Sequence, residues 1–133
     1  MALQLNDEQK KFLLDKNFVN LATLMKDGSP QVTPVWVDFD GKHVLVNSEQ
    51  KRVKVRNMKR DPRVGVAVFD MANPYNFIEI RGRVVDITTD GAADHIDKMA
   101  KKYMGQDKYP FNGPGDVRVI IKIEPEKVAG MVR

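Results

Sequence analysis

The chain has no cysteine, which excludes a disulfide framework, a thiolate metal site and a thiol nucleophile. Histidine is almost as scarce. His43 and His95 stand far apart without metal-ligand spacing, so neither a histidine-held metal nor a histidine-based triad is expected. No run approaches the ~18 apolar residues of a membrane span. The opening MALQLNDEQKK is polar and lacks the apolar stretch of a secretory signal, so the expected location is cytoplasmic. Repeats, linkers and low-complexity tracts are also missing. What remains is 133 residues with 42% hydrophobic content, enough for one core and one domain over residues 1–133.

Charge is the first positive feature. The formal net charge is +4, yet KRVKVRNMKR at 51–60 alone carries six cations and no acid. The rest of the chain is therefore slightly acidic. This is one anion-attracting segment, not a general basic coat. Aromatics are not interleaved with the cations, so nucleic acid is not the expected partner.

The pattern along the chain reads as mainly β. Asn6 or Asp7 caps a first helix with Phe12 and Leu13 inward. Strands follow over 18–25, 31–39, 42–47, 63–69, 77–87 and 117–123. In the second, Val35, Val37 and Phe39 alternate with Trp36 and Asp38. Asp40-Gly41 signals a two-residue hairpin turn. Ser48 is the expected N-cap of a helix over the basic segment, which Asp61-Pro62 ends. Gly82, inside a long strand, marks a bulge or bend of the kind that curls a sheet into a barrel. Ile96, Met99, Ala100, Tyr103 and Met104 recur at helical spacing before Gly105. About six antiparallel strands with few helices predict a small barrel.

A strand ending in Asn47-Ser48 ahead of a cation-rich helix suits phosphate. Helix starts offer unpaired N–H groups and a positive dipole end. Arg52 and Lys54 lie two residues apart and converge on one dianion only if the segment before Lys54 is turn-like. The residues alone leave two readings open, a phosphate site or a solvated basic helix face.

The stretch TPVWVDFDGKHVLVNSEQKRVKVRNMKRDPRVGVAV (33–68), with FIEIRGRVV (77–85) and DVRVIIKIEPEKV (116–128), resembles the pyridoxamine 5′-phosphate oxidase-like split-barrel family. It is most similar to the deazaflavin-dependent (PPOX class F420-dependent) oxidoreductase branch. The element K-x-R-N-x-x-R-D-P-R-V from Lys54 to Val64 is the specific part. The resemblance implies a split β-barrel homodimer with cofactor sites at the subunit interface. Each would take F420 or, alternatively, FMN. By position, Arg52 and Lys54 match the phosphate-binding pair, Ser48 the hydroxyl residue at the strand end, and Asn57 the helix asparagine. Val32, Thr33, Pro34, Val35 and Trp36 match the strand whose backbone faces the ring. Asn76 and Phe77 are candidates to contact the partner subunit's ring.

Some residues keep two readings. Pro34 implies an edge position with open backbone, while Trp36 either packs or faces the ring. Tyr109 and Phe111 form a wall over a pocket or pin their loop to the barrel. Arg118 is a further candidate to reach cofactor or substrate. His43 and His95 read as surface residues, and Met99 and Met104 as core filling. The implied chemistry is hydride transfer from reduced F420 to a small electron-poor substrate. An FMN-dependent oxidase or reductase and a non-catalytic cofactor binder are the alternatives.

Overall fold

A computed structural model describes residues 3–131 of the chain. It consists of α1 (Asp7–Leu14), β1 (Phe18–Leu24), β2 (Pro30–Val35), β3 (Asp38–Phe39), β4 (Val44–Glu49), α2 (Val53–Arg60), β5 (Arg63–Phe69), β6 (Phe77–Thr88), α3 (Ala92–Met104) and β7 (Arg118–Met131). The strands form one antiparallel sheet in the order β2-β1-β5-β6-β7-β4-β3. The mainly β class holds. The sheet has seven strands where six were expected, because the expected strand over 31–39 breaks in two.

That break shapes the molecule. β2 and β3 lie at opposite edges of the sheet, yet only Trp36 and Val37 separate them in sequence. A link this short reaches no more than about 10 Å. The sheet therefore curls until its edges almost meet. The expected alternation across 35–39 fails for the same reason, and Asp38 and Phe39 are both buried. Off the ladder, Val37 needs other partners for its backbone. Tyr103 Oη accepts from its N–H at 3.2 Å, and Lys102 Nζ donates to its carbonyl at 2.7 Å. Both side chains come from α3, which closes the seam.

Curling also depends on β6. Its register with β7 shifts between Arg81 and Gly82 and again between Val84 and Asp86. A Cβ on Gly82 would lie 2.6 Å from the Glu124 carbonyl oxygen, so only glycine allows the strands this approach. Inside the curl, Val19, Leu21, Val44, Val46, Val66, Val68, Ile78, Ile80, Ile121 and Ile123 form the core, with Leu13 and Phe12 of α1 and Val55 and Met58 of α2.

The helix starts divide the expectations. Asn6 caps α1 as read, in a reciprocal pair with Gln9. Ser48 does not cap α2. It remains in β4, paired with Val119, and the N-cap is Arg52 without a side-chain hydrogen bond. The β3–β4 turn differs too. Phe39 pairs with Val44, leaving a four-residue connection in which only Gly41 has positive φ. Asp40 instead accepts from the backbone of Lys42 and His43. β7 runs well past residue 123, where the closing strand was expected to end. Among the described residues no helix is long and apolar enough to cross a membrane.

Candidate functional site

A cavity of about 340 Å³ opens beside the seam. One side is the end of β2 and the crossing, with Pro34, Val35 and Trp36, and Phe18 of β1 beside them. Asn47, Ser48 and Glu49 of β4 and Arg118 of β7 form the opposite side. Arg52 and Lys54 enter from the start of α2, and Ile96, Tyr109 and Phe111 complete the wall. The barrel end is open here because β2 stops at Val35.

Lys54 is the electrostatic centre. It is only 7% exposed. The four-residue turn from Glu49 to Arg52, closed by Arg52 N–H to the Glu49 carbonyl at 3.1 Å, delivers it to the cavity. Among the described residues no carboxylate pairs with it. Its pKa is pushed down by burial first, then by the positive charges of Arg52 and Arg118. A buried ammonium facing two guanidiniums without an acid is costly unless an anion joins them. Ser48 is 4% exposed and adds a hydroxyl to the same wall.

The acid nearest the cations is otherwise engaged. Glu49 accepts from the N–H of Lys51 at 2.7 Å and of Val117 at 2.9 Å. The Val117 bond, followed by the Lys51 one, holds its carboxyl below the usual range. Glu49 thus shapes the turn and clips the far end of the 105–117 loop.

The opposite wall is aromatic. Trp36 stacks on Tyr103 at 5.2 Å, and Tyr109 meets it edge-on at 5.9 Å. Phe111 continues the series 5.6 Å from Tyr109 and is 67% exposed. The Arg118 guanidinium lies 5.1 Å from the Tyr109 ring centre. Tyr109 is tethered by its N–H to Asp97 at 2.8 Å. These rings both pin the loop and line the cavity.

The structure therefore brings Arg52, Lys54, Ser48, Pro34, Val35 and Trp36 together. It does not bring the other candidates there. Asn57, one helical turn after Lys54, is buried between α2 and the β1–β2 hairpin. Its amide donates to Thr23 Oγ1 at 3.0 Å and its oxygen accepts from Arg60. Val32 points outward at 59% exposure. Thr33 faces inward, and its buried hydroxyl has no hydrogen-bond partner among the described residues. Asn76 lines a separate polar concavity with Glu8, Lys11, Asp15, Asn17 and Asp70. Phe77 is in register with Phe69 and, through it, with Phe18.

His95 corrects its surface reading. It is 9% exposed, and its Nε2 lies 3.0 Å from Asp38. Asp38 also receives Lys98 at 3.3 Å. Burial raises the Asp38 pKa, but the bonds from His95 and the Phe39 N–H, with the Lys98 charge, bring it down to about 2. The i, i+4 spacing of His95 with the inward Met99 was the available signal. Asn47 and Glu49, neither singled out from sequence, alternate along β4 with buried Ser48; nothing in their type marked them as wall residues.

The profile of the family described as pyridoxamine 5′-phosphate oxidase matches residues 5–131. The chain belongs to the pyridoxamine 5′-phosphate oxidase family. Among solved structures similar to this chain is one named an F420 reductase. It is 34% identical over 90% of this chain and 94% of its own, with a TM-score of 0.79. A conserved hypothetical protein from Mycobacterium tuberculosis shares 20% identity over 96% of this chain and 84% of that one, at a TM-score of 0.70. General stress protein 26 from Bacillus anthracis matches at 17% identity, 95% and 92% coverage and a TM-score of 0.69. The likeness to the last two shows the fold alone.

Proposed function

We propose that this chain is an oxidoreductase of the F420-dependent kind, acting as a homodimer. The observation that carries the reading is Lys54, buried without an acid in a cavity that also holds Arg52, Arg118 and Ser48. These donors fit a phosphate group: two guanidiniums, an ammonium and a hydroxyl on one side, with a helix start beside them. The apolar side, from Pro34 to Trp36 and Phe18, fits the edge of a planar ring system. The relative named an F420 reductase supports a deazaflavin over FMN.

When bound, the deazaflavin supplies hydride chemistry, and the protein's share is to bind, orient and exclude water. Arg52, Lys54 and Ser48 would hold the phosphate. The edge of β2 at Pro34 and Val35 would orient the ring, and Tyr109 and Phe111 would close the side facing solvent. A second copy completes the site in this reading. The cavity is small for a cofactor with a tail, near the lower end of the ~300–1,000 Å³ typical of ligand pockets. Its mouth carries exposed Phe18 and Phe111. Phe77, exposed on the sheet face and outside its own chain's cavity, is a candidate contact for the partner's site.

The test is parallel fluorescence titration of cofactor-free protein with F420 and FMN, then mixing with reduced F420 and a panel of enones and quinones. Saturable F420 binding, acceptor-dependent oxidation and at least about tenfold weaker binding by Lys54→Ala are expected. Binding of FMN alone would move the chain to a flavin enzyme. Tight F420 binding without turnover would leave a carrier, and binding of neither would end the proposal.

A further inference from the structure

Behind the cavity wall runs a line of polar groups whose hydrogens are fixed by their neighbours. The Asn47 side chain donates through Nδ2 to the Ala92 carbonyl at 2.8 Å and accepts through Oδ1 from Arg118 Nε at 2.9 Å. A carbonyl only accepts and a guanidinium only donates. Two independent partners therefore set the amide's orientation. The same Nδ2 lies 3.1 Å from His95 Nδ1, which must carry a lone pair to face an N–H. The His95 proton is then on Nε2, donated to Asp38 at 3.0 Å. Asp38, His95, Asn47 and Arg118 thus form one directed chain that ends on the cavity.

Protonation of His95 breaks this order. An imidazolium carries hydrogen on both nitrogens, and its Nδ1–H would point at the Asn47 N–H group. Reversing the amide satisfies the ring, but it turns N–H toward Arg118 and an oxygen toward the Ala92 carbonyl. Both fixed bonds are lost together. We propose that His95 and Asn47 are positioning residues for Arg118, holding its guanidinium on the cavity wall while His95 is neutral and releasing it when His95 takes a proton. The charged and titratable groups around His95 are Asp38 from β3 and Lys98 from its own helix, with Lys102 and Tyr103, which feel the Asp38 charge, on the next turn. Around Arg118 stand Glu49, Asp116, Tyr109 and Lys54. The functional weight of the device rests on the cavity being an anion site, as proposed above, whereas the coupling itself does not.

Nuclear magnetic resonance of the cofactor-free full chain reads the coupling directly. The Arg118 Nε–H cross-peak and the His95 ring signals are followed together from about pH 8 down to about pH 5. One shared midpoint in the wild type, and a flat Arg118 response in His95→Gln, are expected. An Arg118 signal that ignores the His95 titration overturns the proposal. Inorganic sulfate, doubly charged throughout this range, supplies the binding arm at pH 8. Asn47→Ala and Arg118→Ala should each weaken it about tenfold, and the double variant no further, since they act through one group. Additive losses overturn the positioning role. If sulfate and F420 fail to bind any form while the shared midpoint stands, the cofactor reading falls and this coupling survives.

Discussion

Replacing Lys54 by methionine should make the empty protein more stable and poorer at binding anions. Lys54 is 7% exposed and has no carboxylate partner among the described residues. Arg52 and Arg118 add repulsion to its burial. Methionine keeps the packed stem and removes the charge. Leaving a charged group unsatisfied costs about 1–3 kcal/mol, so a gain of about 1–2 kcal/mol is expected. Scaled to 133 residues, unfolding entropy is about 0.28 kcal/mol/K, which turns that gain into a Tm rise of about 4–7 °C. Differential scanning calorimetry at pH 7, in anion-poor buffer and at equal protein concentration, measures it. Adding sulfate or F420 at about 100 times its Kd should then stabilise wild type by about 2.7 kcal/mol and the variant far less, reversing their order. A Lys54→Met protein that melts below wild type in anion-poor buffer would refute the reasoning, because the ammonium would then have a stabilising partner.

Three further outcomes follow from geometry and charge. Gly82→Ala places a methyl 2.6 Å from the Glu124 oxygen and 2.8 Å from Ile123 Cγ2, and the urea midpoint should report a loss of about 1–3 kcal/mol. Asp38 titrates in the fold at about 2 against an ordinary 3.8. Its stabilising contribution is complete above pH 4 and disappears as pH falls toward 2. It amounts to about 2 kcal/mol, and acid unfolding of Asp38→Asn should lack that limb. Lys102 is lowered by burial to about 8 from 10.5, despite Asp38 and Asp15. The unfolded chain thus holds this proton more tightly than the fold does, and unfolding free energy should rise between pH 8 and 10 in wild type. Lys102→Met should flatten that rise.

Strand positions were legible where burial has a simple period. β1 and the first half of β6 bury alternate residues, β5 was read from an apolar run, and Gly82 marked its bend as a glycine inside a strand. Three things were not legible. The break at Trp36-Val37 looks like uninterrupted alternation, since nothing local reveals that Tyr103 and Lys102, over sixty residues away, will satisfy Val37. Ser48 has the chemistry of a cap, but pairing with Val119 keeps it in the strand and leaves α2 to begin at Arg52. His95 sits on a helix rich in lysine and aspartate, and its burial depends on Asp38 arriving from a two-residue strand. At the cavity, Arg52 and Lys54 came from the cation run and Ser48 from the strand end before it. Asn47, Glu49 and Ile96 required the fold, because they reach the cavity only through their places on β4 and α3, and no side-chain type encodes that alone. Asn57 shows the converse: a residue next to the cations in sequence is turned by one helical turn into a separate hydrogen-bond cluster.

The 105–117 loop is fastened at two points, Tyr109 N–H on Asp97 and Val117 N–H on Glu49. Between them lie residues 110–116, with Phe111 exposed. Doubling such a segment costs only about 0.6 kcal/mol in closure entropy, and neither anchor need move. The cations stand on other elements. Insertions or exchanges at 110–115 can therefore rewrite what meets the cavity mouth while Arg52 and Lys54 keep their places. On the proposed reading, acceptor preference would be free to drift while the cofactor handle stays put, and directed diversification should begin with these positions.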